Sequence, residues 1–366
     1  MKRSVLCIVA LIVITGCAGS PSSSPSPSAQ AAPAVAASAP SPSLETELDV
    51  LLGRVDLNGA ALVAKGGEIL YVKGFGLADA ASNRANSPQT RFRLGSITKQ
   101  FTAMAILILQ ARGLIEGSDS ISDYINNCPE AWQGVQIEHL LDHTSGIADF
   151  TEQPDFHDLD TATPAQTVAS VADIPLTSAS GRSFRYTNTG YVLLGMVIEA
   201  ASGTSYAAFL QDEVFGPLGM DDSGYEDGDT PGLATGYSSG LTVAHPLDMS
   251  VPYAAGGLYS TVLDLHRWQE ALYTQRLATA TGMARYFTSL EDITDRLGFG
   301  YAYGQYVGYD DGSTLIWHDG RINGFHTLLA RYPDEHITVA LLSNREASPD
   351  LAPTAKAAAQ YAREHP

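Results

Sequence analysis

Two β-hairpin patterns, one near each end of the chain, bracket a middle of helix and loop, and this arrangement restricts the fold more than any other feature. Residues 60–64 and 69–74 are β runs hinged at Gly66 and Gly67, a pair that tolerates positive φ. Residues 326–331 and 336–343 form a second such pair about Pro333 and Asp334, and 351–363 has the pattern of a closing helix. Between them, helical patterns occupy 99–111, 189–201, 206–215 and 261–273, separated by loops rich in Gly, Pro, Asp and Ser. The expected fold class is therefore α+β, an antiparallel sheet built from both chain ends with a mostly helical lobe inserted. A cleft between sheet and lobe is the expected small-molecule site.

The first 43 residues stand apart from this domain. Lys2 and Arg3 precede an apolar stretch, 4–16, that is too short for a stable membrane span and has the form of an export signal. Ile14, Thr15, Gly16 and Cys17 resemble the lipobox of bacterial lipoproteins, which implies diacylglycerol on the Cys17 thiol and cleavage just before it. Residues 18–43 are almost all Ala, Ser and Pro and lack the large apolar side chains that offset ordering entropy. With Cys17 they make a tether, extended by roughly 3 Å per residue where it is polyproline-like, and the domain spans 44–366. The lipobox implies a bacterial envelope location. Ala18 in place of Asp after the lipidated cysteine resembles the signal for the outer membrane, facing the periplasm, of a Gram-negative cell. Of the three cysteines only Cys128 remains in the domain, so no internal disulfide is expected and the thiol is read as structural.

Charge narrows the partners. With 40 acidic against 21 basic residues the net charge is -19, which disfavours nucleic acid. The expected partners are a small-molecule or peptide substrate and, through Cys17, a membrane.

Ser96 and Lys99 stand three apart at the start of the first long helical pattern, with Gly95 permitting a tight backbone approach. Positions i and i+3 share a helix face, so the Lys99 amine can take the Ser96 proton, while the helix N-terminus favours a developing oxyanion. Alone, the pair also fits a capping serine beside a solvated lysine. Tyr186 and Asn188, two apart in a loop before the second helix, can point the same way, one as proton carrier and one as hydrogen-bonding amide. His318, Asp319 and Gly320, followed by Arg321, precede the C-terminal hairpin, and Gly320 would let a substrate lie close to the strand.

Ser-x-x-Lys, Tyr-x-Asn and a late His-x-Gly, in this order, resemble the serine β-lactamase and penicillin-binding superfamily. The runs LLDHTSGI (140–147), FGPLGM (215–220) and AGGLYSTVLDL (255–265) are similar to its branch of class C β-lactamases, DD-carboxypeptidases, D-aminopeptidases and carboxylesterases. The resemblance implies a β-lactamase/transpeptidase-like fold and a serine hydrolase that forms an acyl-enzyme at Ser96, with Lys99 and Tyr186 as general-base pair. It further implies that Asn188 orients the acyl side chain and that the backbone N–H groups of Ser96 and Arg321 make the oxyanion hole. No metal or organic cofactor is implied. A β-lactamase or D-Ala-D-Ala carboxypeptidase is the alternative, and a penicillin-binding sensor that acylates without turnover is the non-enzymatic one.

His-Asp-Gly stands where β-lactamases of the family carry Lys-Thr-Gly. His318 retains a donor that can face Tyr186 or Ser96, but its charge changes near pH 6.5, so the rate is expected to vary with pH. Asp319 is expected to repel a substrate carboxylate, favouring neutral esters or amine-bearing peptides. His143 and His326 are read as structural, Asp221 to Asp229 as a solvated loop, and Asp264 as part of the cap formed by Thr261.

Overall fold

The computed structural model describes residues 43–154, 161–289 and 298–365. The signal, Cys17 and nearly all of the tether lie outside the described residues. Seven strands form one antiparallel sheet: β1 (Gly59–Lys65), β2 (Glu68–Phe75), β3 (Gly300–Ala302), β4 (Gln305–Asp310), β5 (Ser313–Ile322), β6 (Phe325–Tyr332) and β7 (Ile337–Ser343). Their order across the sheet is β3-β4-β5-β6-β7-β1-β2. β1 pairs with β7 from Gly59↔Ser343 to Lys65↔Ile337, so the two chain ends meet inside the sheet, as the terminal hairpins require.

Both faces of the sheet are covered. On β1, Ala60, Leu62 and Ala64 enter one core while Ala61 and Val63 enter the other, the period-two alternation of a strand between two layers. Helices α1 (Leu44–Arg54) and α6 (Ala352–Glu364) cover the outer face, where Ala355, Ala358, Ala359 and Ala362 let α6 approach closely. The helical lobe covers the inner face with α2 (Thr98–Ala111), α3 (Asn188–Ser202), α4 (Tyr253–Gly256) and α5 (Val262–Ala271). Residues 98–109 of α2 are all buried, as a helix that is apolar on nearly every side must be. Thr261 caps α5 by accepting the Asp264 N–H at 3.1 Å, as its spacing foretold.

Strands β3 and β4 go beyond the sequence expectation, and residues 318–320 lie within a strand. The segment 300–312 is glycine-rich, yet Tyr301, Tyr306 and Tyr309 are good strand formers, and Asp311 (φ 50°) and Gly312 (φ 89°) make the left-handed two-residue turn that joins β4 to β5. β4 stops pairing with β5 at Trp317, and beyond it residues 318–322 pair with β6. The remaining edge of that half of β5 meets the turn that carries Ser96. A Cβ added to Gly95 would lie 2.9 Å from the Arg321 nitrogen, and one on Gly320 would lie 1.9 Å from the Leu94 carbonyl oxygen. Glycine at 320 thus admits the protein's own backbone, where a substrate had been expected.

Candidate active site

Ser96 sits in a single 3₁₀ turn, Gly95–Ile97, directly before α2, and Gly95 takes a φ of 55° that favours glycine. Lys99 follows one turn later and is carried into the interior by the apolar helix, so its amine is fully buried. Its Nζ lies 3.1 Å from Ser96 Oγ, 2.8 Å from Asn188 Oδ1 and 2.9 Å from the Ala255 carbonyl oxygen. The Tyr186 hydroxyl reaches Ser96 Oγ from another side at 3.0 Å. The serine oxygen is therefore held between the amine of the adjoining helix and a phenol from a segment 90 residues further along the chain.

Burial sets the protonation of both groups. It pulls Lys99 down from 10.5 to about 7, against the opposing influence of the Asp149 and Asp319 charges. It pushes Tyr186 well above the usual phenol range, which the hydrogen bond to Ser96 only partly offsets. Near neutrality the phenol keeps its proton and a large share of Lys99 is the free amine.

Asn188, at the start of α3, has a different first task from the one expected. Its Oδ1 accepts from Lys99 and its Nδ2 donates to Asp149 at 3.1 Å, so the side chain orients the lysine while also bordering the substrate cavity. Asp149, which sequence reasoning missed, is buried and also accepts the backbone N–H groups of Asn188 and Thr151 at 3.0 and 2.9 Å. The only sequence hint was its place shortly after the run at 140–147.

The expectation for His318 is corrected. The ring is buried, its Nδ1 meets the Asp319 carbonyl and its Nε2 lies 3.4 Å from the Tyr301 hydroxyl. It packs 6.1 Å from the Tyr186 ring, and no hydrogen bond joins it to Tyr186 or Ser96 among the described residues. Burial, then the Lys99 charge, pull it to about 4, so it is neutral at pH 7 and does not govern a rate change near pH 6.5.

The expectation for Asp319 is corrected as well. Its partner in register is Leu328, a residue of the outer core, and strand alternation turns it away from the side shared by His318 and Gly320. It does not line the cavity, although its charge raises the pKa values of Lys99 and Tyr186. The charged residues among those that line it are Arg321 and Glu346. Arg321 is exposed and has no ion pair among the described residues; Glu346 accepts the Gly324 N–H at 3.2 Å.

The cavity beside Ser96 holds about 310 Å³. Asn188, Thr151 and Asn323 give it polar edges, and Phe150, Leu247 and Val251 an apolar wall. A site of this size accepts a modest acyl group next to the serine.

Comparison with known proteins gives the family. The Beta-lactamase family profile matches residues 50–363. Penicillin-binding protein 4* of Bacillus subtilis (strain 168) is 30% identical over 327 residues, covering 83% of this chain and 71% of the relative. Esterase EstB of Burkholderia gladioli is 34% identical over 220 residues, covering 54% of each chain. Among solved structures, a D-stereospecific amidohydrolase from Streptomyces sp. superposes with a TM-score of 0.73 at 27% identity, covering 85% of this chain and 96% of that one. With the profile spanning most of the sheet and lobe, the chain belongs to the Beta-lactamase family of serine hydrolases.

Proposed function

We propose that Ser96 is the nucleophile of an ester or amide hydrolase, with Lys99 as its base and Tyr186 as the phenol that stabilises and returns the proton. The observation that carries this reading is the position of Ser96 Oγ, 3.1 Å from Lys99 Nζ and 3.0 Å from Tyr186 OH. A neutral amine has two N–H bonds and one lone pair. Asn188 Oδ1 and the Ala255 carbonyl each accept one N–H, which leaves the lone pair directed at Ser96.

The serine oxygen then attacks the substrate carbonyl as its proton moves to Lys99. The backbone N–H groups of Ser96 and Arg321 receive the oxyanion, and Gly95 allows the two segments to lie side by side. As the C–O or C–N bond breaks, the departing alcohol or amine takes a proton relayed from Lys99 through the Tyr186 hydroxyl. Water repeats the sequence on the acyl-enzyme and frees the acid. Relatives named as an esterase and a D-stereospecific amidohydrolase support ester and amide substrates.

The test is steady-state hydrolysis of p-nitrophenyl butyrate, nitrocefin and a D-Ala-D-Ala peptide from about pH 5 to 9, with mass-spectrometric mapping of a fluorophosphonate adduct. Label is expected on Ser96. Only the free amine can act as base, so kcat/KM should rise about tenfold per pH unit below 7 and level off above it. A falling limb between pH 5 and 9, or label elsewhere, would sink the assignment. Because Asp319 faces away from the cavity, carboxylate-bearing substrates are not excluded by it, and the panel decides between esterase and β-lactamase or peptidase use. A burst without turnover would make the protein a sensor.

We also propose that Cys17 carries a lipid that holds the enzyme at the bacterial envelope, supported by the lipobox and the Ala/Ser/Pro-rich tether. Cys17→Ser is expected to move the protein from the detergent-soluble membrane fraction to the aqueous one; retention at the membrane would count against the lipid.

A further inference from the structure

His143 grips both sides of Tyr186. Its carbonyl accepts the Arg185 N–H at 2.8 Å, its Nδ1 accepts the Thr187 N–H at 3.2 Å, and its ring lies 4.4 Å from the ring of Tyr186. One residue thus contacts the backbone before the tyrosine, the backbone after it and the ring itself. Two features of His143 are unfavourable in isolation. Its backbone has a φ of 60°, and its buried Nε2 has no hydrogen-bond partner among the described residues. Accepting at Nδ1 requires the tautomer with hydrogen on Nε2, so a buried donor is left unpaired, at a penalty that packing alone would avoid. A residue kept only to fill space needs neither the strain nor the orphaned donor.

We propose that His143 is a positioning residue, which sets the Tyr186 hydroxyl against Ser96 Oγ through the acceptor at Nδ1 and the ring face. This rests on the role given to Tyr186 above. The neighbours fit the task. The Tyr191 and Tyr301 rings lie 5.2 and 4.6 Å from the imidazole, so the ring is fixed by aromatic contacts, and burial holds it well below its usual pKa and neutral. Protonation at Nδ1 would abolish the acceptor and put a cation near Lys99.

The experiment compares His143→Phe, which keeps a ring but no acceptor, with His143→Asn, whose Oδ1 replaces Nδ1 and whose side chain tolerates the left-handed backbone. Each is made in the natural chain and with Tyr186→Phe, with thermal unfolding and p-nitrophenyl butyrate hydrolysis measured below the unfolding range. His143→Phe is expected to lower kcat by about 10- to 100-fold with little change in KM, and His143→Asn to recover most of it. In the Tyr186→Phe background the same exchange should matter less than about twofold, because the loss acts through the phenol. A crystal structure of His143→Phe should show Tyr186 OH beyond hydrogen-bond reach of Ser96. Full additivity, or an unmoved Tyr186 in that crystal, overturns the proposal. If Tyr186→Phe alone leaves the rate intact, the role of Tyr186 fails, while the crystal still decides whether His143 positions it.

Discussion

Exchanging Lys99 for methionine is expected to lower kcat by about 10²- to 10⁴-fold and to abolish the rise of rate with pH. Methionine nearly conserves the volume of the stem, so the packing along α2 is retained, but the thioether neither accepts the Ser96 proton usefully nor holds it for return. The drop of Lys99 from 10.5 to about 7 corresponds to roughly 5 kcal/mol against the charged form in this environment. Removing the amine relieves that penalty. It also leaves Asn188 Oδ1 and the Ala255 carbonyl without a donor, each at about 1–3 kcal/mol, so the two effects largely offset. The variant should therefore unfold near the temperature of the natural protein while its acylation by p-nitrophenyl butyrate, followed in a stopped-flow, almost disappears. Retention of a tenth or more of the activity, with its pH dependence, would place the base elsewhere.

Gly320→Ala is expected to damage stability and activity together. The added methyl would sit 1.9 Å from the Leu94 carbonyl oxygen and 2.4 Å from Thr327 Oγ1. Thr327 is itself tied to that carbonyl by a 2.7 Å hydrogen bond, so neither atom can step aside freely. The strand and the turn that bears Ser96 must move apart, at about 3 kcal/mol or more. That corresponds to a fall of roughly 5 °C or more in the unfolding midpoint of a domain of this size. The same displacement separates Ser96 from the Arg321 amide and should slow acylation. Calorimetry and fluorophosphonate labelling read the two effects; a variant with an unchanged midpoint would show that the contact between β5 and the serine turn is not tight.

Much of this was open to inspection in the linear chain because it depends on local periodicity. The turn at Gly66 and Gly67, the strands 59–65 and 337–343, and helices α2 and α6 follow from alternation, apolar spacing and caps within a few residues of each other. Ser96 and Lys99 stood out for the same reason, since a three-residue spacing on a helix is a local geometry. Strands β3 and β4 were hidden because glycine lowers their strand signal, and their stability comes from pairing with β5. The Asp311–Gly312 turn was the visible clue.

Side-chain roles that depend on distant neighbours were not legible. His318 was read from its type as a titrating donor, yet burial beside Tyr301 and Lys99 keeps it neutral. Asp319 was read as facing the substrate, yet its place on a strand, with Leu328 opposite, turns it away. The sequence by itself determined the period of each segment and the residue types able to carry acyl transfer, because these are read from residues close together in the chain; the strand patterns at both ends pointed to one sheet, but its register, Gly59 opposite Ser343, is a long-range pairing. Only the tertiary structure decided that a large share of Lys99 is the free amine near neutrality, that Asn188 and Ala255 aim it at Ser96, and that His143 sits against Tyr186. Those outcomes depend on desolvation and on contacts between segments up to 156 residues apart, such as Lys99 and Ala255, which no local pattern encodes.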